Sequence, residues 1–400
     1  MLKRLSGWLR WLPVLLLGAC GTTSGPLPLP GPAQEEPVRL PPDLSRPAAS
    51  APLKPPPLGE REVRAMVARL IGPTVRDRDA WAGDLYSVFS KLDFPHAPEI
   101  YCAAIAVIEQ ESSFQADPVV PGLPAIVWKE LEQRGRKFGI PKMLIAAAML
   151  KTSPDGRSYS QRIDTLKTEK QLNALFQDLI TELPAGKQLL SGYNPVRTGG
   201  PMQVSVEFAE QQARDKPYPY RPAGSIRDEV FSRRGGLYFG SAILLDYPAP
   251  YNNVLYRFAD FNAGRYSSRN AAFQNALGRL SGKPLELDGD LLRYAKGQAL
   301  ATPSGVELAA RSLSDKLRLS PGEIRRDLLL EKSAEFGQSP LYKRLFSLAD
   351  QAMASPAPRQ VMPQIDLQSP KITRKLTTEW FARRVDGRYR ACLARADSTT

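Results

Sequence analysis

The chain contains one histidine, His96, and three cysteines, Cys20, Cys102 and Cys392. A lone histidine speaks against a His-based zinc site or a Ser-His-Asp triad. Three cysteines are too few for a disulfide-rich scaffold. No glycine-rich phosphate loop, zinc-type spacing or Asp/Asn calcium loop occurs, so no metal and no cofactor is implied. What is present is apolar and aromatic: 42% of 400 residues are hydrophobic, with 5 Trp, 14 Tyr and 14 Phe. That excludes a globally disordered chain and suffices for one large or two medium domains. The formal charge is +13.

Lys3, Arg4 and Arg10 precede an apolar run from Trp11 to Leu17 that is too short to span a bilayer. A basic segment followed by a short apolar one reads as an export signal. It closes on Leu17-Gly18-Ala19-Cys20, which resembles the lipobox of bacterial lipoproteins. That resemblance implies removal of residues 1–19 and lipidation of Cys20. With no Asp after the cysteine but Gly21, it implies the periplasmic face of the outer membrane. Loss of three cations from +13 leaves +10, which suits anionic partners such as cell-wall stem peptides or phospholipid, with no nucleic acid to meet. In that oxidising compartment Cys102 and Cys392 are free to form a disulfide, or to remain two separate buried side chains.

Residues 21–58 hold 12 prolines and form an extended tether. Beyond Glu60 the spacing turns helical: Val63, Met66, Val67 and Leu70, then Trp81, Leu85, Val88 and Leu92. Further helices are predicted over Glu99–Ser112, Trp128–Arg136, Pro141–Met149, Leu166–Leu179, Val206–Arg214, Val230–Leu245, Ala271–Leu280, Val306–Leu317 and Leu341–Met353. Ser320-Pro321-Gly322-Glu323 combines a capping box with proline at the first helical position. Near the end, Asp386-Gly387 predicts a short β-hairpin with Phe381 opposite Cys392, in competition with a helix broken at Gly387. The fold class is mainly α.

Glu111 stands at the end of the most apolar of these helices, with Phe114 close behind. A partly enclosed carboxyl there suits general acid catalysis. Its rival Glu109 lies on a different helix face. Glu111-Ser112-Ser113-Phe114 resembles the Glu-Ser-x-Phe motif of the soluble-type lytic transglycosylases, a lysozyme-like family. Two further blocks follow in the family's order. Gly200-Pro201-Met202-Gln203 resembles Gly-Leu-Met-Gln, and Ala259-Asp260-Phe261-Asn262-Ala263-Gly264 resembles Ala-x-Tyr-Asn-Ala-Gly. Between them, Gly240 to Leu245 is similar to the family's helix with a glycine and a leucine pair. The whole chain also resembles the proteobacterial lipoprotein family DUF1615, which implies no activity.

The resemblance implies a lysozyme-like domain over 59–300, a helical insertion at about 122–190, and a helical extension over 301–400 packed on the main domain. It implies Glu111 as general acid and base, acting on peptidoglycan at the bond between N-acetylmuramic acid and N-acetylglucosamine and leaving 1,6-anhydromuramoyl ends. Ser112 would shape the glutamate's surroundings, Met202 and Gln203 would line the groove, and Phe261 and Asn262 would meet substrate. Tyr193, Tyr218 and Tyr220 are candidates for stacking on sugars, or ordinary packing aromatics. The chain departs from the family in the insertion, in Pro201 for Leu and in Phe261 for Tyr; Tyr238 or Tyr266 could replace the lost hydroxyl if the fold brings one close. Two other functions stay open. One is a non-catalytic peptidoglycan-binding or scaffold lipoprotein, with unknown envelope protein partners. The other is a hydrolytic muramidase, for which Glu207 or Asp260 would supply the second carboxylate.

Overall fold

Apolar stripes set most of the helices, and side-chain caps start several of them. In the computed structural model, which describes residues 58–182, 193–295, 297–352, 355–367 and 376–397, the first three are α1 (Glu60–Leu70), α2 (Arg78–Lys91) and α3 (Pro98–Glu111). Proline at the start of α3 costs no helical hydrogen bond, and the run from Tyr101 to Ile108 is wholly buried. The segment that follows holds α4 (Leu123–Lys137), α5 (Lys142–Ala148), α6 (Tyr159–Asp164) and α7 (Glu169–Thr181). Ser158 with Gln161, and Thr168 with Gln171, make capping boxes for α6 and α7.

A two-stranded ladder, β1 (Thr198–Gly199) with β2 (Val204–Ser205), leads into α8 (Val206–Asp215). Then come α9 (Ile226–Val230), α10 (Arg233–Leu245), α11 (Val254–Ala263) and α12 (Ser267–Ser281). The helix expected over Val230–Leu245 starts at Arg233, because Ser232 caps it by accepting from the Gly235 amide, and Val230 ends the helix before it. A second small ladder pairs β3 (Tyr294–Ala295) with β4 (Gln298–Ala299). The last elements are α13 (Gly305–Arg311), α14 (Ser314–Leu317), α15 (Pro321–Leu328), a 3-10 turn at Ala334–Gln338, α16 (Pro340–Ala352) and α17 (Thr378–Asp397). The capping box of Ser320 and Glu323 starts α15. The described residues are thus mainly helical, with two small ladders.

The hairpin expected at Asp386-Gly387 is absent; α17 runs unbroken through both residues. Phe381, Ala382, Val385 and Cys392 are buried at helical spacing. That buried stripe outweighs the roughly 1 kcal/mol that a mid-helix glycine costs. Gly387 faces open space. Cys392 forms a disulfide with Cys102, their Cα atoms 5.6 Å apart and 290 positions apart in sequence. It therefore fastens α17 to α3. Arg395 donates to the Leu70 carbonyl at 2.7 Å, fastening α17 to the end of α1 as well.

Three hydrophobic clusters organise residues 57–400, which form one unit. The main one joins α1, α2, α3, α10, α11 and α17. A second begins in α12, with Phe273 and Leu277, and runs through Phe336 and Phe346. Helices α13 to α16 therefore share a core with α12, inside the segment expected to end at 300, while α17 packs in the main one. The third holds the segment expected as an insertion: Leu123, Val127, Tyr159, Ile163, Leu172 and Leu175 close on Val196 and Phe231. No helix of the described residues is long and apolar enough to cross a membrane. Cys20, the expected lipidation site, lies outside the described residues.

Candidate active site

Helix α3 delivers Glu111 at its last turn. Ser112, buried, stops the helix; its hydroxyl donates back to the Ile108 carbonyl at 3.0 Å. The next two residues both take left-handed backbone, Ser113 at φ 50° and Phe114 at φ 60°. Each such residue without glycine costs about 1–2 kcal/mol, so the surroundings must impose the turn. Phe114 supplies the constraint: it is buried and meets Trp81 of α2 edge-on, ring centroids 5.3 Å apart. The Arg233 guanidinium lies 5.1 Å from the Trp81 ring and its Nε donates to Asp84 at 2.5 Å. The end of α3, the face of α2 and the start of α10 are thus one locked corner, with Glu111 half-buried at its edge. Glu109 points elsewhere, with Arg388 of α17 3.6 Å from it.

The second block is the turn between β1 and β2. Gly200 has φ 72° and is packed on the Val230 carbonyl, where no side chain fits. Gln203 has φ 48°, and its side-chain amide closes the turn: Nε2 donates to the Gly200 carbonyl at 3.3 Å, and Oε1 accepts from Thr198 at 3.4 Å. Met202 was expected to line a groove. It is fully buried instead, seated where Gly240 of α10 leaves room; a Cβ at Gly240 would lie 2.7 Å from the Met202 Cβ. The two motif pieces, Met202 and Gly240, are a knob and its hole.

The third block ends α11. Gly264 takes φ 109°, open only to glycine. Asn262 accepts from the Thr378 hydroxyl at 2.9 Å, and Phe261 stacks on Phe381 at 6.5 Å. Both partners belong to α17, so the C-terminal helix covers this block. Asp260 is buried and committed: it accepts from the Tyr247 and Tyr251 hydroxyls and from the Tyr266 and Ser268 amides, the last at 2.8 Å. Burial raises its pKa. An inward carboxylate bound this way is a structural clasp, and Glu207 is exposed on α8.

The three blocks meet on one core. Ile108 and Phe114, Met202 and Val204, and Phe258 and Ala259 belong to the main hydrophobic cluster. Of the aromatic candidates, Tyr238 belongs to that same cluster, and Tyr218 and Tyr220 pack against it. Tyr238 is buried among Tyr218, Tyr220 and Phe239, with centroids 5.1 Å from Tyr218, so it is a packing residue rather than a sugar platform. Tyr218 donates to Glu229 at 2.8 Å, and Tyr220 pairs with Ser87 at 3.1 Å. Tyr266 packs on Tyr247 and on Arg269. Tyr193 is exposed at the insertion, its carbonyl accepting from Arg134 at 3.1 Å. Beside the second block, the insertion forms an apolar cavity of about 430 Å³, lined by Val127, Leu131, Leu172, Phe176 and Val196 and reaching Thr198. Sequence reading missed Trp81, Asp84 and Arg233, and also Thr378. No local pattern marks residues whose part is to brace a loop from a distant helix.

The model of a family described as "Protein of unknown function (DUF1615)" matches residues 74–395. The chain belongs to the DUF1615 family. It is also 50% identical over 332 residues to the uncharacterized protein YaiW of Escherichia coli (strain K12), covering 83% of this chain and 90% of that one. No solved structure matches this DUF1615 chain. The matched span takes in all three blocks, the insertion and nearly all of α17.

Proposed function

We propose that this DUF1615 protein is a lytic transglycosylase of lysozyme-like type, anchored through Cys20 to the periplasmic face of the outer membrane and acting on peptidoglycan. The observation that carries the reading is the end of α3: a half-buried Glu111 followed by two left-handed residues, on the same core as the other two motif blocks. Strained backbone held by distant packing is a mark of sites that position a reacting group. In the proposed reaction Glu111 donates its proton to the glycosidic oxygen, and the bond from that oxygen to C1 of the muramic acid breaks. The substrate's N-acetyl group steadies the cationic carbon. Glu111, now a carboxylate, takes the proton of the O6 hydroxyl as O6 closes on C1. One carboxyl suffices, in keeping with the structural commitment of Asp260. Purified peptidoglycan incubated with the full chain should release anhydromuropeptides detectable by mass spectrometry, and Glu111→Gln should release none. Reducing muramic ends from the wild type would instead indicate a muramidase.

A second reading is favoured by α17. Its Thr378 occupies the Asn262 amide oxygen, and Phe381 covers Phe261, the position where the lytic transglycosylase motif has tyrosine. A lysozyme-like body closed in this way would bind glycan without cleaving it. Folded wild type that sediments with peptidoglycan and yields no products would establish that reading over the first.

A further inference from the structure

Between Glu132 and Asp155 the sequence has five cations, Arg134, Arg136, Lys137, Lys142 and Lys151, and no carboxylate. The structure makes this stretch a hairpin of α4 and α5, and α5 buries none of its residues although its sequence is Lys-Met-Leu-Ile-Ala-Ala-Ala. Phe138 is 78% exposed and Met143 80%, with Ile140, Leu144 and Leu150 exposed beside them. Contiguous apolar surface of this kind on a folded chain marks an interaction site.

The hairpin is built, not frayed. Ile145 turns inward against Gly135, where no Cβ would fit. The Phe138 and Ile140 amides both donate to the Gly135 carbonyl at 2.9 Å, and Gly139 takes the left-handed turn at φ 71°. The base is tied down by the Ser160 amide on the Met149 carbonyl at 2.8 Å. One apolar side chain holds the tip together while five large ones face out.

We infer that this hairpin inserts its apolar tip into the headgroup region of an anionic phospholipid bilayer. Charge complementarity chooses the occupant. Phe and Leu flanked by Lys and Arg is the pattern of interfacial helices. Arg136 and Lys137 are exposed next to Phe138. Arg134 pairs with Glu130 at 2.6 Å, Lys142 with Glu132 at 2.6 Å and Lys151 with Glu182, but both lysines stay largely exposed, and such surface pairs are weak. A second copy of the tip would set like charges against each other. The inference is independent of whether Glu111 performs chemistry.

The test uses the full, anchored chain with Leu144→Cys carrying an environment-sensitive fluorophore, and Leu308→Cys as a label at an exposed position of α13, far along the chain. Each is reconstituted in vesicles of phosphatidylethanolamine with phosphatidylglycerol, or of phosphatidylcholine alone, with brominated lipid as quencher. The expected result is a blue shift and strong quenching at 144 but not at 308, in the anionic vesicles. Arg136→Glu with Lys137→Glu should lower the equilibrium constant for insertion, about fivefold for each cation removed. Equal quenching at 144 and 308, or none at 144, would overturn the proposal. So would a shift at 144 that needs no vesicles and grows with protein concentration, since that assigns the tip to a second copy.

Discussion

Met202 and Gly240 show how a motif residue can serve packing before chemistry. The methionine is wholly buried and the glycine leaves its space. Met202→Ala should therefore cost about 2–5 kcal/mol by leaving a cavity. Gly240→Ala should cost about 1–3 kcal/mol by overfilling the same contact. Urea unfolding of the two variants measures both, and a near-neutral Gly240→Ala would show that the contact relaxes freely. Glu111 was legible in sequence because charge at the end of an apolar run is conspicuous. The left-handed turn behind it was not, since nothing in Ser113-Phe114 announces positive φ. Trp81, thirty-odd positions upstream, imposes it.

At the scale of elements, the loop before α13 and the end of α15 are clasped by Glu331. Its Oε2 accepts from the Leu291 amide and, at 3.2 Å, from the Leu292 amide, in a fully buried setting. Burial pushes its carboxyl up to about 7 from an ordinary 4.5. Between those values the folded chain keeps a proton that the unfolded chain has released, so stability falls as pH rises through that window. The loss is roughly 3 kcal/mol at most. Glu331→Gln should flatten the dependence, seen by comparing unfolding midpoints on either side of the window. Nearby, Glu307 is buried between Arg311 at 2.5 Å and Arg325 at 2.6 Å. Arg325→Ala should cost about 3 kcal/mol, because part of the compensation of a buried charge is removed. Unchanged thermal unfolding of that variant would show that Arg311 alone suffices. The helix α17 belongs to this scale too. Its apolar residues recur three and four apart, a period that overrides one Asp-Gly pair.

The whole molecule is closed by the bond between Cys102 and Cys392. It spans 290 positions and ties α3 to α17. A link that long restricts the unfolded chain strongly, so Cys102→Ala with Cys392→Ala should lose about 3–5 kcal/mol. Calorimetry would read the loss as a lower midpoint. The variant also tests whether α17 keeps its place over Asn262, since the Thr378 hydrogen bond and the Phe381 stack would then hold it alone.

Sequence by itself determined the helical character of the chain and the capping box at Ser320, and it marked Glu111 as the candidate carboxyl. These depend on neighbours within a few turns, where spacing and side-chain type act directly. The tertiary structure decided the rest. It set Met202 into Gly240, turned Asp260 inward, laid α17 across the third block and left α5 without a core to cover it. Each of those outcomes depends on which distant surfaces meet, and no local pattern specifies that. The strongest single case is Cys392: its spacing from Phe381 fits either a hairpin or a helix, and only packing against α3 chooses.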